Sequence, residues 1–286
     1  MPECQICFRH CKLSEGQTGF CGARICKQGA IIAKNYGRLT SVALDPIEKK
    51  PLSRFFPGSM ILSVGSFGCN LRCPFCQNHE ISWSQQAMSF AQKLHTTSPE
   101  QLVAAAQKYR SHGNIGIAFT YNEPLISFEF VRDTAILSKK EGLKTVLVTN
   151  GTADLSVLSS LCGCIDAMNI DLKCFDEQTY KHTLGGDLEM VKRFISQAVK
   201  LCHVELTTLI VPGISDNEQQ FRQLVSWISE LTGANGENIG RQTVLHITRY
   251  FPRFKMTDTP ATDISLIHHF ADIAKQKLKY VCIGNC

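Results

Sequence analysis

Short runs rich in β-branched residues alternate with amphipathic segments from about residue 60 onward, and this alternation limits the fold more than any other pattern in the chain. Such a pattern predicts repeated β-α units around a parallel sheet. We predict strands near residues 60–65, 115–121, 144–149, 167–172, 204–211 and 243–248. Because these units number about six, fewer than the roughly eight that close a complete barrel, we expect an α/β fold with a partial (β/α)6 barrel.

Capping residues mark the starts and ends of several helices. Ser98-Pro-Glu-Gln101 and Ser215-Asp-Asn-Glu218 have the capping-box pattern, in which side chains bond the first free N–H groups of a helix. Gly142 follows shortly after a lysine pair and predicts a helix end, because glycine readily adopts the left-handed conformation found there. We therefore expect helices to begin at the two serines and another to end near the glycine.

The first 58 residues follow a different pattern. Cysteines are closely spaced, glycines recur at Gly16, Gly19 and Gly22, and neither helical nor strand periodicity is clear. We predict a small cysteine-rich cap over residues 1–58, without a barrel strand, and the partial barrel over residues 59–286. Because no flexible linker separates the two parts, the cap is expected to pack on the barrel.

Composition limits the cellular setting. No apolar run approaches the roughly 18 to 20 residues that span a bilayer, and the opening MPECQICFRHCK has no apolar signal-peptide core, so we expect a cytoplasmic protein. Since a reducing cytoplasm disfavours disulfides, the 14 cysteines indicate metal binding or redox chemistry. The net charge of +5 is spread along the chain without a basic block, and nucleic-acid binding is not indicated.

Three cysteines lie directly after the first predicted strand. Cys69, Cys73 and Cys76 have the spacing C-x3-C-x2-C, and Phe75 precedes the last of them. Iron–sulfur clusters normally take four cysteines, so three leave one iron of a [4Fe-4S] cluster open to chelate a small molecule. A structural zinc site would need a fourth ligand, for which His79 is the nearest candidate. The spacing favours the cluster.

The sequence around these cysteines resembles the radical S-adenosylmethionine (SAM) superfamily, whose hallmark is C-x3-C-x-aromatic-C, and within it the branch of pyruvate formate-lyase activating enzyme. A narrower resemblance is to the AmmeMemoRadiSam system radical SAM enzyme family. It runs over nearly the whole chain and rests on Asp45-Pro-Ile-Glu-Lys-Lys-Pro-Leu52, Phe56-Pro-Gly-Ser59, Gly68-Cys-Asn-Leu and Cys76-Gln-Asn78.

The resemblance implies an oxidoreductase that uses a [4Fe-4S] cluster and S-adenosyl-L-methionine. A flavodoxin or ferredoxin would deliver one electron, SAM would be cleaved reductively, and the 5′-deoxyadenosyl radical would take a hydrogen atom from a substrate. The residues implied to contact the cofactor are Tyr121, Asn122, Glu123, Thr149, Asn150, Asp171, Lys173, Val211 and His246.

Most of these residues stand at the ends of predicted strands, where barrel enzymes usually carry their sites. The Glu123 carboxylate suits the methionyl ammonium, which offers three donors and no acceptor. Simpler explanations also exist. Asn122 stands in a turn-forming stretch where the family often has glycine, Asp171 and Lys173 fit a rim ion pair, and His246 fits a core residue equally well.

A second cysteine set lies in the cap. Cys4, Cys7, Cys11 and Cys21 have the spacing C-x2-C-x3-C-x9-C, and four thiols can close around one zinc ion or bind an auxiliary cluster. Closed coordination favours structural zinc. An auxiliary [4Fe-4S] cluster and metal-free thiols remain the alternatives, and Cys26 is a spare that could replace one member.

The remaining cysteines have no chemical assignment. We expect four of them to be ordinary buried small hydrophobes, namely Cys162, Cys164, Cys174 and Cys202. Cys282 and Cys286 lie near the last residue, where members of the resembled family usually continue into a further cysteine-containing tail.

Several functions remain open from the sequence. The chain could modify an unidentified substrate within the AmmeMemoRadiSam system, activate a partner enzyme by generating a glycyl radical on it, or serve as a zinc-binding interaction module. Because about six β-α units leave a lateral opening that a barrel of roughly eight lacks, we expect the substrate to be a protein or peptide.

Overall fold

The computed structural model describes residues 1–82, 84–93 and 95–286, and the strands within these ranges form two sheets. The smaller sheet is an antiparallel hairpin of β1 (Arg24–Lys27) and β2 (Ala30–Ala33). The larger sheet contains β3 (Ser41–Pro46), β4 (Met60–Gly65), β5 (Asn114–Phe119), β6 (Lys144–Thr149), β7 (Ala167–Asp171), β8 (His203–Ile210), β9 (Val244–Arg249) and β10 (Val281–Gly284). Its strand order is β10-β9-β8-β7-β6-β5-β4-β3.

Helices connect most of these strands. They are α1 (His79–Ser82), α2 (Gln85–Lys93), α3 (Pro99–Lys108), α4 (Phe128–Lys140), α5 (Leu155–Ser160), α6 (Glu177–Thr179), α7 (Leu188–Ala198), α8 (Glu218–Ser229) and α9 (Ile264–Lys275). Short 3-10 turns add Ile47–Lys49, Arg110–His112, Pro124–Ser127 and Gly240–Gln242, and a π turn spans Tyr180–Leu184. No helix of the described ranges is long and apolar enough to cross a membrane.

The predicted α/β class and the six strands from residue 60 onward are confirmed. β4 to β9 are parallel neighbours in chain order, as expected of a partial barrel. The second predicted strand ends two residues early, at Phe119, since Tyr121 has a positive φ of 69°. A side chain in this left-handed conformation cannot continue an extended strand.

Two strands of the barrel sheet were not predicted. β3 pairs antiparallel with β4, and β10 pairs parallel with β9. The prediction that residues 1–58 hold no barrel strand is therefore wrong for Ser41–Pro46. Both strands lie at a sheet edge and are only partly buried, so their sequences lack the apolar alternation of a core strand and their extended form depends on long-range pairing.

The predicted helix signals have mixed outcomes. Ser98 caps α3 with the complete capping box, and Gly142 follows α4 with a φ of 64°, so both predictions are confirmed. The predicted cap at Ser215 is wrong, because Asn217 accepts the Gln220 N–H at the start of α8. The Ser215 hydroxyl instead donates to Leu209 O and accepts from Val211 N, which fixes the turn after β8.

Residues 47–55, here called the floor segment, close one end of the barrel. Ile47 and Leu52 are fully buried and pack with Ile61, Val146 and Ala167, which lie in the first halves of their strands. The cysteine loop follows the opposite, carboxyl end of β4. The floor segment therefore seals the end of the barrel away from the three thiols.

Two inward-facing residues hold the floor segment in place. Glu205 of β8 is fully buried, and its carboxylate accepts hydrogen bonds from the backbone N–H groups of Ser53 and Arg54 at 2.9 and 2.8 Å. Asn169 of β7 donates to Pro51 O at 2.8 Å. A loop bonded in this way to two core strands is rigid, so its side chains have fixed positions relative to the barrel.

The N-terminal residues pack on the barrel, as expected for a chain without a linker. Cys69 N donates to Cys21 O at 3.1 Å, and Asp154 N donates to Ile6 O at 2.8 Å. The nearly buried Arg24 pairs with Glu129 of α4 at 2.7 Å. The boundary at residue 58 stays a prediction.

Candidate active site

A cavity of about 760 Å³ opens among the carboxyl ends of the parallel strands and extends to the floor segment. The predicted site residues on its wall are Cys69, Cys73, Cys76, Tyr121, Asn122, Glu123, Thr149, Asn150, Asp171, Lys173 and His246. The structure does not bring the predicted cofactor residue Val211 to this wall. It is fully buried in the core directly after β8, where its N–H bonds the Ser215 hydroxyl.

The cysteine loop places three thiols on one wall of the cavity. Gly68 begins the loop with a φ of 98°, and a Cβ there would lie 2.7 Å from the Ala23 Cβ, so the close approach to the cap needs glycine. Leu71 N lies 3.5 Å and Asn150 Nδ2 3.8 Å from Cys69 Sγ. Such N–H groups stabilise charge on a cluster sulfur, and the donor set fits an iron–sulfur cluster.

Burial disfavours the thiolate forms of two of these three cysteines, so a nearby positive charge is needed to stabilise them. Burial raises the pKa of Cys69 far above its usual range and that of Cys73 to about 11. Since metal ligation requires the thiolate, a bound metal centre would supply the missing positive charge.

Glu123 joins the ends of two neighbouring strands. Its carboxylate accepts hydrogen bonds from Thr149 Oγ1 at 2.7 Å, Asn150 N at 2.8 Å and Leu125 N at 3.0 Å. Burial raises its pKa to about 7. A carboxylate has about four lone-pair positions, and three are used here, so one remains for a donor in the cavity.

Two residues that were predicted to contact the cofactor form hydrogen bonds to other residues of the chain. Asn122 accepts from Ser66 N at 2.9 Å and donates to the carbonyl oxygens of Phe67 and Gly68, so its amide supports the start of the cysteine loop. The Tyr121 hydroxyl donates to Asp45 at 2.7 Å. Both side chains brace the cavity wall.

Asp171 and Lys173 form the ion pair that the sequence allowed. Lys173 Nζ lies 2.8 Å from Asp171 Oδ2 at the end of β7, and both residues line the cavity. Burial opposes the charge of Lys173, but the negative charges of Asp171 and Cys73 and the hydrogen bond to Asp171 together outweigh it and raise the lysine pKa. The two residues therefore form an ion pair at the rim of the cavity, where a polar ligand can contact it.

His246 is held by a carboxylate that the sequence analysis missed. Glu205 Oε2 lies 2.6 Å from His246 Nε2, and Glu205 Oε1 lies 2.9 Å from His203 Nε2. Although burial opposes it, hydrogen bonds from both histidines lower the pKa of Glu205. With Nε2 directed at the carboxylate, Nδ1 is the ring nitrogen of His246 left for other partners. The available signal was a glutamate within a predicted strand.

A second missed group lies at the floor. Lys50 Nζ lies 2.9 Å from Asp45 Oδ2 and 4.7 Å from the centre of the Tyr121 ring. Burial opposes ionisation of Asp45, but the hydrogen bonds from Lys50 and Tyr121 outweigh it and lower the Asp45 pKa to about 2. Both charged residues belong to the Asp45-Pro-Ile-Glu-Lys-Lys-Pro-Leu52 stretch.

Replacing Asp45 with asparagine is expected to lower the free energy of unfolding at pH 7 by about 2 kcal/mol. The folded-state pKa lies below the unfolded value of about 4, so this contribution is present above pH 4 and is lost as the pH falls towards 2. Denaturant unfolding at pH 7 and pH 3 measures both values. The Asp272→Asn change removes an exposed partner of Lys275 and serves as the control with little expected effect. An equal loss at both pH values would contradict the assignment.

The four predicted cap ligands border one small space. Cys4, Cys7, Cys11 and Cys21 line it together, whereas the spare Cys26 lies 3.9 Å from Glu15 Oε2. Burial raises the pKa of Cys7 to about 11. In the described ranges no three or more Cys, His, Asp or Glu side chains stand close enough to share one ion, so the metal stays a prediction.

The unassigned cysteines are not all buried. Cys174 is buried as expected, but Cys164 and Cys202 are only half-buried, and Cys162 is exposed because the turn after α5 carries it to the surface. Cys282 of β10 lines the cavity, with its Sγ 3.4 Å from Ser53 Oγ. No motif or spacing pattern had indicated that Cys282 would line the cavity.

Comparison with known proteins identifies relatives. The family model of the radical SAM superfamily matches residues 63–228. An uncharacterized protein of Methanocaldococcus jannaschii is 38% identical over 284 residues, 99% of this chain and 80% of that protein. Pyruvate formate-lyase 1-activating enzyme of Escherichia coli K12 is 28% identical over 166 residues, 55% of this chain and 63% of that enzyme.

Solved structures share the fold. Streptococcus suis SuiB bound to S-adenosylmethionine has a TM-score of 0.59 at 13% identity, covering 79% of this chain and 52% of SuiB. A domain of pyruvate-formate lyase-activating enzyme from Bacteroides vulgatus has a TM-score of 0.51 at 15% identity, covering 59% of this chain and 99% of the domain. The family works with a [4Fe-4S] cluster and SAM. Because its model matches more than half of the chain, this protein is an enzyme of the radical SAM superfamily.

Proposed function

We propose that the protein cleaves SAM reductively at a [4Fe-4S] cluster held by Cys69, Cys73 and Cys76, and that the 5′-deoxyadenosyl radical abstracts hydrogen from a substrate. The observation that carries this proposal is the common wall of one cavity, where these three thiols and the polar ends of four strands meet. Anaerobic reconstitution followed by measurement of 5′-deoxyadenosine with dithionite tests it.

The chain's own residues bind and orient the cofactor in this proposal. Glu123 accepts the methionyl ammonium on its remaining lone pair, and Lys173 binds the methionyl carboxylate beside Asp171. Thr149 and Asn150 hold the ribose side through the end of β6, while His246 offers Nδ1 near the adenosyl group. The ends of β5, β6 and β7 form part of the cavity wall and help to exclude water from the reacting centre.

We place the protein in the AmmeMemoRadiSam system as a cytoplasmic modification enzyme. The relative from Methanocaldococcus jannaschii aligns with 99% of the chain, cap included, whereas the Escherichia coli activating enzyme aligns with 55%. A flavodoxin or ferredoxin is the proposed electron donor. The second candidate function is activation of a glycyl-radical enzyme, which the name of the Escherichia coli relative favours. An adjacent gene for a glycyl-radical enzyme would support that alternative.

We expect a protein or peptide to be the substrate. Among the described residues the barrel sheet runs from β10 to β3 with no pairing between these two edge strands, and an opening on this side would admit an extended chain to the cavity. The reduced enzyme with labelled SAM should form more 5′-deoxyadenosine when the protein fraction of its native extract is added. The low-mass fraction is the control. Stimulation by the low-mass fraction alone would refute a macromolecular substrate.

A further inference from the structure

The Lys50 ammonium is buried in the cavity floor with little compensation. Its side chain is 3% exposed, and within the described part of the chain Asp45 Oδ2 is its one hydrogen-bond acceptor. An ammonium has three N–H donors, and the ring of Tyr121 faces it at 4.7 Å without accepting a conventional hydrogen bond. Because burying a charge is costly unless its donors are satisfied, the two remaining N–H groups call for an acceptor.

The surroundings of Lys50 are rigid. The floor segment is bonded to Glu205 and Asn169, as described above. Tyr121 holds a φ of 69°, and its ring packs so tightly on Gly65 that a Cβ there would lie 2.8 Å from the ring carbon Cδ2. A strained, closely packed residue of this kind persists where the surrounding structure fixes it. The ammonium is therefore pre-positioned, which lowers the cost of binding a ligand.

The charges at the floor favour a single negative group. Lys50 and the exposed Lys49 both approach the Asp45 carboxylate, at 2.9 and 3.6 Å, so two cations share one anion. The Glu48 carboxylate also lines the cavity, and it accepts the Gly58 N–H at 2.7 Å. The two N–H groups of Lys50 that lack an acceptor match one carboxylate, whereas a phosphate dianion would add a second negative charge beside Asp45 and Glu48.

We propose that Lys50 binds a carboxylate group of the substrate at the cavity floor, opposite the cysteine loop. This inference rests on the proposed function and names the substrate chemistry for that site. Lys50, Asp45 and the floor segment lie outside the residues that the family model matches, so they are suited to distinguish this enzyme's substrate from those of its relatives. The carboxylate belongs either to a free acid or to an acidic side chain or C-terminus of a peptide.

The test compares variants on the same extract fractions. The Lys50→Met enzyme and the Asp45→Asn/Lys50→Met enzyme are measured together with wild type, because the double change removes the pair without leaving a buried charge unpaired. The control is Asp166→Asn/Lys144→Met, which makes the same two substitutions in a half-exposed pair, 3.0 Å apart, outside the cavity wall. The readout is the ratio of 5′-deoxyadenosine formed with and without each fraction.

The protein and low-mass fractions are each used untreated and after amidation of carboxyl groups with a carbodiimide and methylamine. For wild type and the control, amidation should reduce the active fraction's stimulation about tenfold, the effect of one lost charge-assisted hydrogen bond. Both Lys50 variants should respond about tenfold less to the untreated fraction and lose the sensitivity to amidation. Which fraction is active distinguishes a peptide carboxylate from a free acid.

Two results would overturn the proposal. One is wild-type stimulation of the Asp45→Asn/Lys50→Met enzyme by the untreated fraction, and the other is undiminished stimulation of wild type by the amidated fraction. Failure of the proposed function looks different, because wild type would then form no 5′-deoxyadenosine from SAM and dithionite in any sample.

Discussion

Replacing Cys69, Cys73 and Cys76 together with alanine is expected to reduce 5′-deoxyadenosine formation to background. The three thiols are the shared donor set on the cavity wall, and without them the open iron that chelates SAM has no support. The loss should be complete rather than partial, since an electron can reach SAM only through the bound cluster. Iron and labile-sulfide analysis after anaerobic reconstitution should fall in parallel with activity.

The matched control replaces three thiols that lie away from the cavity. Cys162 and Cys286 are exposed and Cys164 is half-buried, so their change to alanine should leave both the cluster and SAM cleavage intact. The comparison separates loss of cluster ligands from a general loss of thiols. Undiminished 5′-deoxyadenosine from the variant lacking Cys69, Cys73 and Cys76 would contradict the proposed function.

The rim of the site was predictable because its signals are local. Strand ends of a parallel sheet meet at one edge, so Glu123, Thr149 and Asp171 could be assigned to one region from their positions after apolar runs. The same reasoning gave the six consecutive strands. Val211, which the resemblance alone implied, follows the end of β8 at Ile210, and its side chain is buried in the core.

The floor was not predictable because it depends on long-range contacts. Glu205 accepts hydrogen bonds from Ser53 and Arg54, which lie about 150 positions away in the sequence. Asp45 precedes the cysteine loop in the sequence, whereas its hydrogen-bond donor Tyr121 follows that loop. No spacing rule joins such positions. The edge strand β3 shows the same limitation, because its extended conformation follows from its pairing with β4 and not from its own pattern.

The cap is expected to hold about one zinc ion per chain, even in the variant that lacks the three barrel thiols. Cys4, Cys7, Cys11 and Cys21 line one small space. Four thiolates drawn together around zinc would complete its tetrahedral coordination and leave no position for SAM. Elemental analysis measures the content. Iron and sulfide in place of zinc would overturn the assignment in favour of an auxiliary cluster, and the absence of any metal would favour free thiols.

Loss of that zinc should also weaken the cysteine loop of the barrel. Cys21 O accepts the Cys69 N–H, and the Phe20 ring lies between the guanidinium groups of Arg9 and Arg72, at 3.4 and 4.1 Å. Metal binding to four thiolates contributes directly to folding, so the Cys4→Ser/Cys7→Ser enzyme should melt at a clearly lower temperature and retain less cluster iron. A Cys26→Ser enzyme is the control, because this buried thiol lies outside the four-cysteine space. Equal melting temperatures and iron contents in the two variants would mean that the cap thiols hold no structural metal.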